Sequence, residues 1–325
     1  MAEFDLIERI RARAGARADV RLGIGDDAAL LQVPPGCELA VTADTLNQGV
    51  HFPAGAAAGD LGWKALAVNL SDLAAMGARP AWCTLSLSLP QADAAWLDGF
   101  LDGFLALAGE HGIALVGGDT TRGPLSVSVT AMGLVEAGAA LRRDRARPGD
   151  DVWVTGTLGD AAAALVLDGH VAPPSGDVPA VDAGAAAFLR RRLCRPSPRV
   201  EAGRRLLGLA HACIDVSDGL LADLGHVCAR SGVGAEILLA ALPASPALAA
   251  AFDGQRPPLQ AAGGDDYELC FTAPPALRDA VALALEQAGV DGTRIGRIVP
   301  GEGVRALAAD GTPWRPPRTG YQHFG

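Results

Sequence analysis

The chain has 325 residues, half of them apolar, and its 27 basic and 37 acidic side chains give a formal charge of -10. That length supports one large or two medium cores, and the acid excess disfavours nonspecific adhesion to nucleic acid or an anionic membrane, leaving room only for a local basic pocket. Six cysteines show no CxxC and no close pair, and most of them, in apolar surroundings, read as buried thiols. The acidic start MAEFDLIERI does not read as a secretory signal. Every apolar run long enough to span a bilayer is broken by Gly, Pro or polar residues, so a cytoplasmic protein is expected.

In chain order, Phe4, Leu6, Ile7 and Ile10 give a short helical face. Next, LGIGDDAALL from Leu22 to Leu31 sets Asp26 and Asp27 between two apolar arms; paired carboxylates entering a core need a compensating positive group. Glu38 to Ala43 reads as a buried strand delivering Thr42 and Asp44, followed by a loop in which His51 is either a satisfied structural histidine or a substrate contact. Trp63, Leu66, Ala67, Leu70, Leu73 and Ala74 predict a helix over 60–76 that Gly77 ends, with Asn69, Asp72 and Met76 on a neighbouring face. The stretch 81–89 alternates as a strand, with Cys83, Leu85, Leu87 and Leu89 on one face. A second helix runs to Glu110 with Gly112 as its stop. A strand over 113–116 then enters GGDTTRG, whose glycines let backbone N–H groups approach a ligand and whose Thr120, Thr121 and Arg122 add donors. Residues 125–135 read as a long strand.

Asp27, Asp44, Asp72 and Asp119 are separated by 17, 28 and 47 residues, so only a folded domain could gather them. An EF-hand packs its oxygens into one short loop. The alternatives are a site for hard cations, Mg²⁺ above all, carried in part by a phosphorylated substrate, or four separate helix and turn caps.

Arg142, Arg143, Arg145 and Arg147 form the densest basic run, either a solvated connector or an arginine clamp for phosphate oxygens. Pro148-Gly149 after it marks a domain boundary, giving halves 1–148 and 149–325, both ordinary sizes. In the second half, helices are expected over 158–167, 183–193 and 201–211. A short strand at 213–216 leads into IDVSDGLLADLGH. There Ser217 or Asp218 caps a helix ending at Gly232, and the N–H groups of its first turn suit either an acid or a phosphate. A strand at 236–239 is followed by AGGDDYELCF, in which Asp265 and Asp266 repeat the theme of glycines before paired acids. A helix over 277–288, a strand over 294–299 and the tail TGYQHFG complete the chain.

No GxxxxGK[ST], HRD with DFG, HExxH or GxSxG is present, and Lys64 is the sole lysine. P-loop and protein-kinase chemistry, each of which reads phosphate with a motif-borne lysine, is therefore disfavoured.

The segments LGIGDDAALL, VTADTLNQGVHF, GWKALAVNLSDLAAMGARPAW, VGGDTTRGPLS, RPGD, VTGTLGD, RPSPR, AIDVSDGLLADLGH, GGDDYELCFT and GYQHFG together resemble the bacterial thiamine-monophosphate kinases, within the superfamily of aminoimidazole ribonucleotide synthetase-like proteins. The resemblance spans nearly the whole chain. It implies an α/β (α+β) fold of two domains: an N-terminal mixed sheet with helices that dimerises through its sheet, and a C-terminal α/β domain. It also implies a homodimer with ATP near the dimer interface, and phosphorylation of thiamine monophosphate to thiamine diphosphate with several Mg²⁺ ions. By similarity, Asp27, Thr42, Asp44, Asp72, Asp119, Asp215 and Asp218 match magnesium positions, with Ala43 offering a backbone oxygen. Gly118, Asp119, Arg143 and Ser217 match nucleotide contacts, and His51, Asp265 and Tyr321 match substrate contacts. Asp44 and Asp119 are the pair expected nearest the transferring group. The chain departs from the pattern at Asp265, where GGED is usual, and at Ala43, where a hydroxyl residue is common. Without the resemblance, a two-metal phosphatase, another ATP-dependent enzyme of the superfamily and a nucleotide-sensing scaffold compete.

Overall fold

The structure, a computed structural model, describes residues 3–15, 17–316 and 320–321, with side chains from Asp5 onward. The reading of Phe4 in the first helical face, and of Thr319 and residues 322–325 in the tail, lies outside the described residues. Two compact units are present: residues 1–73 with 78–140, and residues 74–77 with 141–325.

The first unit comprises α1 (Glu3–Arg13), β1 (Val20–Leu22), β2 (Leu30–Leu31), β3 (Cys37–Asn47), α2 (Ala58–Ala75), β4 (Arg79–Leu89), α3 (Ala94–His111), β5 (Ala114–Arg122) and β6 (Ser126–Glu136). Its main sheet runs β3-β6-β4-β5 and is mixed, with β4 and β5 parallel and the other pairs antiparallel. The strand period does what the alternation predicts: Val127, Val129, Ala131, Cys83, Leu85, Leu87 and Leu89 are buried. The buried stripes of α2 and α3 include Leu66, Leu70, Leu73, Leu97, Phe100, Leu101 and Phe104, each such side chain contributing about 1.5–3 kcal/mol.

Two glycines set how closely these helices cross. A Cβ on Gly62 would overlap the Phe100 carbonyl, and one on Gly103 the Gly59 carbonyl, so the backbones touch where no side chain intervenes. The helix ends follow from local chemistry. Asp93 caps α3 by accepting from Ala95 N and Trp96 N at 2.9 and 3.1 Å. Gly77, at φ 67°, closes α2, with Ala78 N donating to Leu73 O.

One strand exceeds its expectation. The segment read as a phosphate-approaching loop after Val116 continues as β5 to Arg122, paired along β4.

The second unit holds β7 (Asp151–Thr155), α4 (Asp160–Leu167), α5 (Ala183–Cys194), α6 (Val200–Arg205), β8 (Ala212–Asp215), α7 (Leu220–Ser231), β9 (Gly234–Leu238), α8 (Pro246–Ala251), α9 (Arg256–Ala262), β10 (Leu269–Ala273), α10 (Arg278–Gln287), β11 (Gly292–Val299), β12 (Gly303–Leu307) and β13 (Pro313–Trp314). Its sheet runs β13-β12-β9-β11-β7-β10-β8, with β9 and β12 parallel and the other neighbours antiparallel. One core gathers Val152, Val154, Ile214, Leu220, Leu224, Val227, Ile237 and Ile295. A second forms among α4, α5, α8 and α9 around Val166, Leu189, Leu248 and Phe252. The helix expected over 201–211 stops at Arg205, because Gly208 takes φ 76° and His211 N bonds to Thr272 O, drawing the chain onto the sheet. Among the described residues, no helix is long and apolar enough to cross a membrane.

Candidate active site

In the first unit, β3 is an edge strand held by α2 through two polar contacts. Asn69, fully buried, accepts the Asp44 N–H at 3.1 Å on Oδ1 and donates to Ala65 O at 3.0 Å. Thr42 Oγ1 donates to Asp72 Oδ2. Thr42, Asp44 and Asp72 thus lie along one seam, and Asn69, which the sequence placed beside Asp72 without a role, fixes the Asp44 backbone. The peptide joining Ala43 to Asp44 points its N–H at Asn69, so its carbonyl faces the opposite way, toward β6. That orientation turns the Ala43 oxygen from the seam.

Asp26 and Asp27 do not enter a core. Both are exposed, because β1 and β2 are short surface strands whose Leu22 and Leu30 are themselves exposed. Asp27 N donates to Asp26 Oδ1 at 2.8 Å. The expected positive group is nevertheless close by: the Arg11 guanidinium lies against Gly25, which has φ 121°.

Asp119 is exposed on β5. Gly118 before it is demanded by packing, since a Cβ there would overlap the Leu85 carbonyl of β4 and φ is 151°. Its close approach is thus to the neighbouring strand. His51 Nδ1 accepts the Asn47 N–H at 2.9 Å, so in the neutral ring the proton sits on Nε2.

In the second unit, the loop between β8 and α7 gathers several predicted residues. Ser217 O accepts from Asp265 N at 2.8 Å, Val216 O from Tyr267 N at 2.8 Å, and Asp218 O from Tyr321 N at 3.0 Å. Ser217, Asp218, Asp265 and Tyr321 therefore meet, with the buried Asp215 at the end of β8. The N–H groups expected to suit an acid or a phosphate already have an acid. Asp223 Oδ2 accepts from Ser217, Asp218 and Gly219 N at 3.0, 3.1 and 3.0 Å. Burial and the nearby Asp218 push the Asp223 carboxyl up to about 7, against the pull of those three donors.

Beneath this loop lies an ionic network that sequence reasoning missed. Glu268, fully buried, accepts from Arg199 Nε and Nη2 at 2.6 Å each, from Arg192 at 2.9 Å and from Thr155 Oγ1 at 2.7 Å. Asp266 accepts the Gly159 N–H at 3.0 and 2.9 Å, and burial drives its carboxyl well above the usual range. Asp160 accepts from Thr157 and Ser245 at 2.7 and 2.5 Å. Its signals were visible: a glutamate inside the apolar strand run YELCFT, and the arginines around RPSPR.

Arg143 is exposed, and its carbonyl accepts from Ser231 Oγ at 2.8 Å. Arg142 is tied to Asp144 at 2.5 and 2.8 Å, which pulls the Asp144 carboxyl down to about 2.

Among the described residues, no three His, Cys, Asp or Glu side chains converge as a metal cluster. The oxygen-only donors Thr42, Asp44 and Asp72 still fit a hard cation such as Mg²⁺, which takes one or two carboxylates and fills its shell with water and substrate phosphates.

Residues 25–135 match the N-terminal domain of the AIR synthase related proteins, and residues 147–308 match their C-terminal domain. The thiamine-monophosphate kinase of Escherichia coli K12 is 47% identical, over 99% of this chain and 98% of its own. The crystal structure of thiamine-monophosphate kinase from Stenotrophomonas maltophilia K279a is 57% identical, covers 97% of this chain and 98% of its own, and superposes with a TM-score of 0.86. A structure of AaThiL complexed with AMPPCP and TMP is 33% identical over 99% of this chain and 97% of its own, with a TM-score of 0.76. With both domains matched and relatives this similar from end to end, the chain belongs to the AIR synthase related family and, within it, to the thiamine-monophosphate kinases.

Proposed function

We propose that the chain transfers the γ-phosphoryl group of ATP directly to the terminal phosphate oxygen of thiamine monophosphate, giving ADP and thiamine diphosphate. The observation that carries this is similarity along the full length to a kinase structure holding AMPPCP and TMP together. Two polyanions must meet, and their repulsion is the main obstacle. Bound Mg²⁺ would supply neutralisation of that charge. Asp27, Thr42, Asp44, Asp72, Asp119, Asp215 and Asp218 are the residues that would hold it, with Asp44 and Asp119 nearest the transferring group. The Ala43 carbonyl is left out because its peptide turns it toward β6.

Gly118, Arg143 and Ser217 take the nucleotide, Arg143 as a guanidinium aimed at phosphate oxygens. His51 offers its Nε2–H, Asp265 its carboxylate, and Tyr321 a ring face for the cationic thiazolium. The acceptor is already a phosphate anion near neutral pH, so a dedicated base is unnecessary. Residues 1–148 serve in cation binding and dimerisation, and residues 149–325 in nucleotide and substrate binding. The working form is a homodimer paired through the first unit's sheet. The placement of Asp44 and Asp119 on opposite edge strands supports this, because a second copy can complete what one chain separates.

The test is incubation of the purified protein with Mg²⁺, ATP and thiamine monophosphate, followed by mass detection. Thiamine diphosphate and ADP in equal amounts are expected. Asp119→Asn should lower turnover more than it weakens thiamine monophosphate binding, and full turnover by that variant at saturating Mg²⁺ would refute the role of Asp119.

A further inference from the structure

Tyr267 has no part in the chemistry above, yet it sits in an unusual backbone. Asp265 and Tyr267 are the two non-glycine residues with positive φ among the described residues, at 67° and 50°. A bulky aromatic side chain seldom occupies that region, and such outliers cluster where a site needs a particular side chain. The segment is pinned on both sides. Its N–H groups at 265 and 267 bond to Ser217 O and Val216 O, while Asp266 and Glu268 turn into the interior, to Gly159 N and to the two guanidiniums. The Tyr267 ring is buried, 8% exposed, and its hydroxyl donates to Asp265 Oδ1 at 3.1 Å.

We propose that Tyr267 is a positioning residue for the acceptor: its hydroxyl holds the Asp265 carboxylate in the orientation that meets a cationic heteroaromatic substrate. This rests on Asp265 being a substrate contact, as proposed above. A carboxylate on a one-carbon stem reaches less far than glutamate and has few rotamers, so fixing one oxygen by a buried donor fixes the whole group. The left-handed backbone at both positions brings the ring and the acid onto one side, and the Glu268 network keeps that backbone from relaxing.

Steady-state kinetics on Tyr267→Phe, Asp265→Ala and the double variant test this. Tyr267→Phe keeps the ring and the packing and removes one donor to a charged group. It should raise KM for thiamine monophosphate about tenfold, leaving KM for ATP and kcat unchanged. In the Asp265→Ala background the same change should add nothing, since the two act as one unit. An unchanged KM in Tyr267→Phe, or an effect that persists in the Asp265→Ala background, overturns the positioning role. If Asp265→Ala leaves KM for thiamine monophosphate unchanged, the substrate role of Asp265 falls and the positioning role with it. Failure of the wild-type protein to form thiamine diphosphate is a separate outcome, seen before any variant is made, and it removes the functional reading itself.

Discussion

Asp44 and Asp119 stand on the two outer strands of one sheet, β3 and β5, with β6 and β4 between them. Three strand spacings amount to about 14 Å, whereas a magnesium ion holds its ligands at about 2.1 Å. One chain does not bring both acids to the same cation. Asp44→Asn and Asp119→Asn should each be nearly inactive alone. Mixed in equal amounts and allowed to exchange subunits, they should recover about a quarter of wild-type turnover, because half the dimers are then mixed and each mixed dimer keeps one intact site. No recovery after exchange would show that the two acids act within one copy.

Asn69 ties the Asp44 backbone to α2 from a fully buried position. Asn69→Ala leaves that N–H without this acceptor and should cost about 1–3 kcal/mol of stability. Turnover at saturating Mg²⁺ should fall while KM for thiamine monophosphate stays unchanged. Urea unfolding and kinetics on the same preparation separate the two effects.

Asp223 gives a pH signature. Burial raises its folded carboxyl to about 7 from the ordinary aspartate value of 3.8. The folded state therefore binds this proton more tightly than the unfolded state does. The resulting stability is present below pH 3.8 and is lost as pH rises through 7. Asp266 shifts in the same direction. Asp223→Asn keeps an acceptor oxygen for the three N–H groups and removes the titration. Urea midpoints should fall more steeply between pH 5 and pH 8 in the wild type than in the variant; parallel profiles would contradict the buried, elevated carboxyl.

Glu268 is compensated by two arginines. Arg199→Ala removes a bidentate partner from a fully buried acid and should destabilise by about 3–5 kcal/mol. Adding Glu268→Gln should restore part of the loss, since the charge left without that partner is gone. A double variant no more stable than Arg199→Ala would argue against the ionic account.

The long, periodic elements were legible because burial follows period: α2, α3, β4 and β6 fall where their apolar residues repeat. Gly112 and Gly77 ended helices as local chemistry requires. Asp26 and Asp27 were misjudged because apolar neighbours do not bury a segment whose strands are two and three residues long. Gly118 was legible as a place of close approach, but a glycine that lets a backbone come close does not say that the neighbouring strand is one of the groups it meets. The role of Asp223 and the pairing of Glu268 with its arginines were not legible, although the charged residues themselves were visible, because their partners, the loop at Ser217 and the arginines at 192 and 199, meet them only through tertiary structure. Of the site, the acids were visible as chemistry, whereas their arrangement depends on strand order, which no local pattern encodes.

The fate of labelled phosphate tests the proposed transfer most directly. With γ-labelled ATP, Mg²⁺ and unlabelled thiamine monophosphate, direct transfer places the label in thiamine diphosphate at one equivalent per ADP formed. Label recovered only as inorganic phosphate, with thiamine monophosphate unchanged, contradicts it.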